Sequence, residues 1–291
     1  QGGFVDLCMH LGKVHAAMPN EIFEIDGGTL TPVPYSKARR PIIAIASYSG
    51  SLYVLHAGQI AILNPDSGGY DREDDIYDWG GPLPQNTRDM IALGSRLVVA
   101  TDRGLVQLRG MALTEIRGED GLPYEDALCL REGFGGDLWI GTTRGAVRNT
   151  GKEYHYFNAD RWLPNEKVND IAVDNNTAYI ATDGGLGIIR YEPFTLAKKA
   201  GYYERWLDEW GMKRLGFTHK LEWNSDGKEW VREVSDNDVG WSTHYLAAMC
   251  FKYAVTKDPE ARAEAVDFLK SALWSEEISG IPGFPARSVW A

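Results

Sequence analysis

The sequence predicts a mainly β fold: a β-propeller of about five blades over residues 1–194, followed by an α-helical αα-hairpin region over residues 195–291. Three observations lead there. A short hairpin motif recurs about every 40 residues, and a Leu-Pro pair recurs in phase with it. Near Thr195 the apolar spacing then changes from alternating to helical.

The hairpin motif is visible in four segments: LYVLHAGQIAIL from Leu52, LVVATDRGLVQL from Leu97, LWIGTTRGAVRN from Leu138 and AYIATDGGLGII from Ala178. Each is a β-rich run, a turn containing Gly, and a second apolar run. Aligned by eye, Gly58, Gly104, Gly145 and Gly185 are separated by 46, 41 and 40 residues. A fainter copy, VHAAMPNEIFEI from Val14, carries Asn20 in the glycine position, and Asn tolerates a positive φ better than most residues. Leu83-Pro84, Leu122-Pro123 and Leu163-Pro164 each precede an apolar strand. Three or four strands in such a unit make a propeller blade. A β-sandwich would also have evenly spaced hairpins, but it has no reason to repeat two markers in phase.

Residues 121–147, GLPYEDALCLREGFGGDLWIGTTRGAV, resemble the repeat of the two-component-regulator propeller family, and 163–189 are similar. The resemblance spans roughly residues 40–190 and implies the fold. It also implies an extracellular or periplasmic setting, because such propellers occur in sensor ectodomains and beside carbohydrate-active domains. Function does not follow from a fold shared so widely. Family propellers commonly have more than five blades. This leaves a small propeller, divergent blades within residues 1–40, or sequence before Gln1.

Thr195 is placed to cap a helix through LAKKAGYYERWLDEW, with Leu196, Ala200, Tyr203, Leu207 and Trp210 at helical spacing and Gly211 or Gly216 at its end. Asp226-Gly227 between alternating runs predicts a β-hairpin over about 219–234. Two helices follow, one over roughly 242–255 and one begun by Asp258-Pro259, a cap and a first-turn proline. Such a pair is the unit of an α/α-toroid, which one hairpin cannot close. The expectation is an incomplete toroid, continued by further sequence or completed by another chain. DNDVGWSTHYLAA and GIPGFPARS resemble the helical region of propeller–toroid proteins of uncharacterised activity.

Composition excludes several classes. The net charge is −11 with no basic cluster, which argues against a nucleic-acid surface. No window is apolar enough to cross a membrane, and no signal peptide is visible. Cys8, Cys129 and Cys250 have no zinc-type spacing, and the last two read as small core residues. No cofactor is implied. The acidic run DREDDIYD (71–78) lacks the ligand alternation of an EF-hand loop, so a structural calcium site has no support there.

Candidate chemistry concentrates in SDNDVGWSTHY (235–245), in a region holding seven of the ten tryptophans. One reading is a saccharide cleft between propeller and helical region. In it Asp238, His244 and Tyr245 handle protons, Asp236, Asn237 and Trp241 bind the sugar, and Arg287 receives a uronate carboxylate. In the other reading Asp236 or Asp238 caps the helix, Trp241 and Tyr245 are core, and Arg287 is an ordinary ion-pair partner. The functions left open are a polysaccharide lyase or glycoside hydrolase, a non-catalytic sensor or recognition propeller for a glycan or protein, and a structural assembly protein.

Overall fold

The computed structural model describes residues 3–34, 40–63, 76–78, 83–84, 86–110, 112–233 and 237–289. The chain divides into two compact units, residues 1–192 and 193–291.

The first unit is a five-bladed β-propeller, each blade an antiparallel sheet with its strands in chain order. Blade 1 comprises β1 (Asp6–His10), β2 (Lys13–Met18), β3 (Glu21–Asp26) and β4 (Thr29–Val33). Blade 2 comprises β5 (Ala44–Tyr48), β6 (Ser51–His56), β7 (Gln59–Leu63) and β8 (Ile76–Asp78). In blade 3 the strands are β9 (Thr87–Leu93), β10 (Arg96–Thr101), β11 (Gly104–Arg109) and β12 (Ala112–Ile116). Blade 4 follows with β13 (Ala127–Glu132), β14 (Leu138–Thr142), β15 (Gly145–Asn149) and β16 (Tyr154–Phe157). Blade 5 has three strands, β17 (Val168–Asp174), β18 (Thr177–Thr182) and β19 (Gly185–Arg190).

Side chains alternate across a strand, so each second strand serves two interfaces at once. Leu52 and Val54 of β6 face back to blade 1, while Tyr53 and Leu55 face forward to blade 3. On β10, Leu97 and Val99 face back, and Val98 and Ala100 face forward. On β14, Leu138 and Ile140 face back, and Trp139 faces forward into blade 5. The inner strands pack in series, β1 on β5, β5 on β9, β9 on β13 and β13 on β17, and no comparable packing joins β17 to β1.

The repeated Thr-x-x-Gly turn has one physical role. In the hairpins at Thr101, Thr142 and Thr182, the hydroxyl donates to the carbonyl of the glycine three residues on, at 2.7–2.8 Å. Gly104 and Gly145 have φ of 100° and 86°, and a Cβ on either would run into the Ile116 or Phe157 carbonyl. Gly58 belongs to the equivalent hairpin but one position earlier, because His56 pairs with Gln59 where Thr101 pairs with Gly104. The alignment by eye therefore needs a one-residue shift in blade 2. Asn20 sits at that same earlier position, between Met18 and its partner Glu21.

In the second unit, α1 (Leu196–Glu209) begins where the Thr195 hydroxyl accepts the Lys198 N–H at 3.1 Å. The short pairs β20 (Lys213–Arg214) with β21 (Phe217–Thr218), and β22 (Leu221–Asn224) with β23 (Glu229–Arg232), follow. Two packed helices complete it, α2 (Asp238–Thr256) and α3 (Pro259–Ser279). Asp258 caps α3 through the Glu260 N–H at 3.0 Å, with Pro259 at the first helical position. Met249, Ala261 and Ala265 are buried together, and Phe217 meets Phe268 edge-on at 6.1 Å.

Two expectations are corrected here. Cys250 is exposed, because the buried stripe of α2 runs through Asp238, Ser242 and Met249. The apolar stripe expected on α1 is also uncovered: Leu196, Tyr203 and Trp210 are exposed and no residue of the helix is buried. End capping and the Lys252–Glu204 ion pair at 2.7 Å hold α1 instead.

Candidate functional site

The α2 entrance divides the predicted site residues between two faces. Asn237 caps the helix, its side-chain oxygen accepting the Gly240 N–H at 3.3 Å. Asp238 is buried at the first helical position. Its N–H donates to the Arg287 carbonyl at 2.7 Å, and its Oδ2 accepts the Val289 N–H at 3.1 Å. Oδ1 lies 3.5 Å from Nδ1 of buried His219, without hydrogen-bond geometry. The carboxylate thus ties the last described residues to the helix start. A helix turns by about 100° per residue, which carries His244 roughly 120° around from Asp238. Trp241 and His244 lie on the exposed side, with His244 Nδ1 3.4 Å from the Trp241 carbonyl. Arg287 is exposed, and Asp236 lies outside the described residues.

Tyr245 returns to the Asp238 side and borders a cavity of about 280 Å³ within the second unit, lined also by Asp208, Lys213, Glu264 and Asp267. Its hydroxyl is buried with no hydrogen-bond partner. Lys213 Nζ lies 2.9 Å from both Glu264 oxygens, 3.1 Å from Asp208 and 5.1 Å from the Tyr245 ring centre. Burial pulls the Lys213 pKa down, but the hydrogen bonds and charges of Glu264 and Asp208 outweigh it and leave it raised. This lysine stays an ammonium and is no base.

The tryptophans abundant in this region form a row. On β22 and β23, Trp223 and Trp230 are directly opposite, with ring centres 5.3 Å apart. Trp230 lies 6.1 Å from Trp210, and Trp210 lies 5.6 Å from Trp206 at the end of α1. Trp210, Trp223 and Trp230 are exposed. Period-two alternation on the hairpin, with Trp on both strands, was the signal available for this row.

A second feature lies at the inner strands of the propeller, in a cavity of about 520 Å³ lined by Asp6, Cys8, Ser47, Asp89 and Arg131 among apolar residues. Arg131 bridges blades, 3.0 Å from Asp89 and 2.6 Å from Asp170. Burial raises the Asp6 carboxyl to about 6, against the lowering effect of the Ile45 and Leu7 amides. Asp89 is raised for the same reason despite the Leu130 N–H and Arg131. Burial pushes the Cys8 and Cys129 thiols up to about 12, so neither is a thiolate nucleophile near neutral pH. No group of three or more His, Cys, Asp or Glu among the described residues could hold a metal ion, and Asp71 to Asp75 of the acidic run lie outside those residues. No described helix is long and apolar enough to cross a membrane.

No family model and no curated protein matches this sequence. Solved structures do match in fold. The extracellular domain of the putative one component system BT4673 from B. thetaiotaomicron is 17% identical with a TM-score of 0.52, over 66% of this chain and 28% of that one. What it shares with this chain is the β-propeller fold. Virginiamycin B lyase from Staphylococcus aureus, crystallised as an inactive variant with quinupristin, is 16% identical with a TM-score of 0.50, over 66% and 67% of the two chains. YCF48 bound to D1 peptide is 12% identical with a TM-score of 0.50, over 67% and 66%. This chain therefore spans little more than a quarter of the BT4673 domain.

Proposed function

We propose that the chain is a non-catalytic recognition module of the sensor-propeller type, acting outside the cytoplasm and binding glycan through the exposed indoles of its second unit. The row Trp210–Trp230–Trp223 carries this reading. Exposed large aromatics are costly in water and are retained where a ligand covers them. An indole face stacks on the C–H face of a pyranose ring, while sugar hydroxyls bond to polar neighbours, here Asn224, Glu229 and Arg232. Of the groups expected for catalysis, Asp238 is otherwise engaged. Asp238 holds the Arg287–Val289 segment, and His244 is about a third of a turn away from it. Calorimetry with soluble neutral and uronate-containing polysaccharides tests the proposal. Binding that is lost in Trp223→Ala and Trp230→Ala, with no product formed, is expected. Turnover abolished by His244→Ala would replace it with the lyase or hydrolase reading.

The propeller cavity favours a second ligand class. Half-buried Asp6, beside the Asp89–Arg131 pair and among Cys8, Ile45, Met90 and Ile91, suits a peptide segment that carries a cationic side chain between apolar ones. The peptide named with YCF48 is in keeping with this use of such a fold. A lysine-containing peptide library bound by the wild type but not by Asp6→Asn would support it, and equal binding by both would dismiss it.

A further inference from the structure

The first two strands of blade 1 place two histidines side by side. β1 pairs with β2 so that His10 lies opposite Lys13 and His15 opposite Cys8. The histidines are thus diagonal neighbours on one face of the sheet, close enough for long side chains to meet. Their ring centres are 5.4 Å apart, with the planes at 77°. That face looks onto blade 2, where Ser47 of β5 meets His10. Both rings line a cavity of about 470 Å³ between the two blades. His15 is only 6% exposed, and His10 is half-buried.

Each ring is held by an oxygen at Nδ1. His15 Nδ1 lies 3.3 Å from the Lys13 carbonyl, and His10 Nδ1 lies 2.9 Å from the Ser47 hydroxyl. A carbonyl only accepts, so a neutral His15 carries its proton on Nδ1 and its lone pair on Nε2. A serine hydroxyl also accepts, which allows His10 the same tautomer. Neither Nε2 has a hydrogen bond among the described residues. Imidazoles anchored in this way at one nitrogen are set to ligate a metal ion with the other.

Spacing and charge narrow the ligand. Two imidazoles that share one ion through Nε2, at about 2.0–2.1 Å each and at a tetrahedral angle, have ring centres about 5 Å apart. The charges on the cavity wall cancel, because Lys13 Nζ lies 2.6 Å from Glu24. A neutral nitrogen pair suits zinc, nickel or copper, whereas calcium and magnesium need oxygen ligands.

We propose that His10 and His15 bind one first-row transition-metal ion through their Nε2 atoms, in the cavity between blades 1 and 2. The Ser47 hydroxyl and the Lys13 carbonyl fix the two rings, and water fills the remaining coordination positions. No third His, Cys, Asp or Glu among the described residues completes a ligand set, so the site is open and its ion exchangeable, unlike a closed structural zinc site.

Isothermal titration calorimetry of the full chain, first stripped with EDTA, tests this with zinc, nickel and calcium chlorides. One zinc or nickel ion per chain and no calcium is the expected result. His10→Gln and His15→Gln should each weaken zinc binding about tenfold or more, and Ser47→Ala, which frees the His10 ring, by about tenfold. His155→Gln, on blade 4, should leave it unchanged. Circular dichroism reports folding of each variant. Nitrogen NMR of the histidine rings needs no substitution: zinc should shift Nε2 of both His10 and His15. Absence of zinc and nickel binding overturns the proposal. So does zinc binding that keeps its full affinity in His10→Gln, or that leaves the two Nε2 resonances unmoved.

Discussion

The carboxylate of Asp89 in one blade accepts the backbone N–H of Leu130 in the next, at 2.7 Å, while its other oxygen takes the N–H of Met90. The side chain thus acts as a clip between inner strands, and Arg131 at 3.0 Å balances its charge. Removal leaves a buried amide and a half-partnered guanidinium. Asp89→Ala is expected to lower unfolding stability by about 2–3 kcal/mol, read from the denaturant midpoint. Asp89→Asn, which keeps an acceptor, should cost less. Equal stability of Ala and wild type would show the clip to be idle.

The carboxyl of Asp6 yields a pH dependence of definite sign. Burial raises it from 3.8 to about 6 in the folded chain. Between those values the folded state holds the proton more often than the unfolded one, so stability falls as pH rises. The penalty is absent below the unfolded value and complete above the folded one, at roughly 2–3 kcal/mol. Asp6→Asn should flatten the stability profile between about pH 4 and about pH 6. A profile unchanged by the substitution would refute the assignment to Asp6.

Trp139 and Tyr179 occupy equivalent positions, each three residues before the threonine that opens its glycine turn, Thr142 and Thr182. Only Trp139 is covered, because blade 5 packs on it. Truncation of Trp139 to Ala should cost about 3–5 kcal/mol. The same change at Tyr179 should cost under about 1 kcal/mol. Chemical denaturation of both variants distinguishes them, and a comparable loss at Tyr179 would mean that its face is buried.

Asp238 and His244 should also separate. Asp238→Ala removes the acceptor of the Val289 N–H and is expected to lower the melting temperature of the helical unit by an amount equivalent to about 1–3 kcal/mol. His244→Ala, on the exposed side, should leave it nearly unchanged. The reverse order would show His244 to be a packed residue.

The repeat was open to reading because it depends on local chemistry. Thr and Gly at fixed spacing make a hairpin wherever they occur, and alternating apolar residues make a two-sided strand. The caps at Thr195 and Asp258 were legible for the same reason, since a cap engages residues only two or three positions away. The wrong alignment of Gly58 shows the limit: a turn shifted by one residue looks the same until the strands are paired.

What the sequence alone determined is the hairpin repeat, the switch to helix and the helix starts, all set by interactions within a few residues. Tertiary structure decided which copies of a repeated residue are covered, as with Trp139 and Tyr179, because coverage depends on the neighbouring sheet. It also decided that Asp238 bonds to Val289, and that Trp210, Trp223 and Trp230 form one row. These contacts join residues up to 51 positions apart, Asp238 to Val289, and no local spacing encodes them.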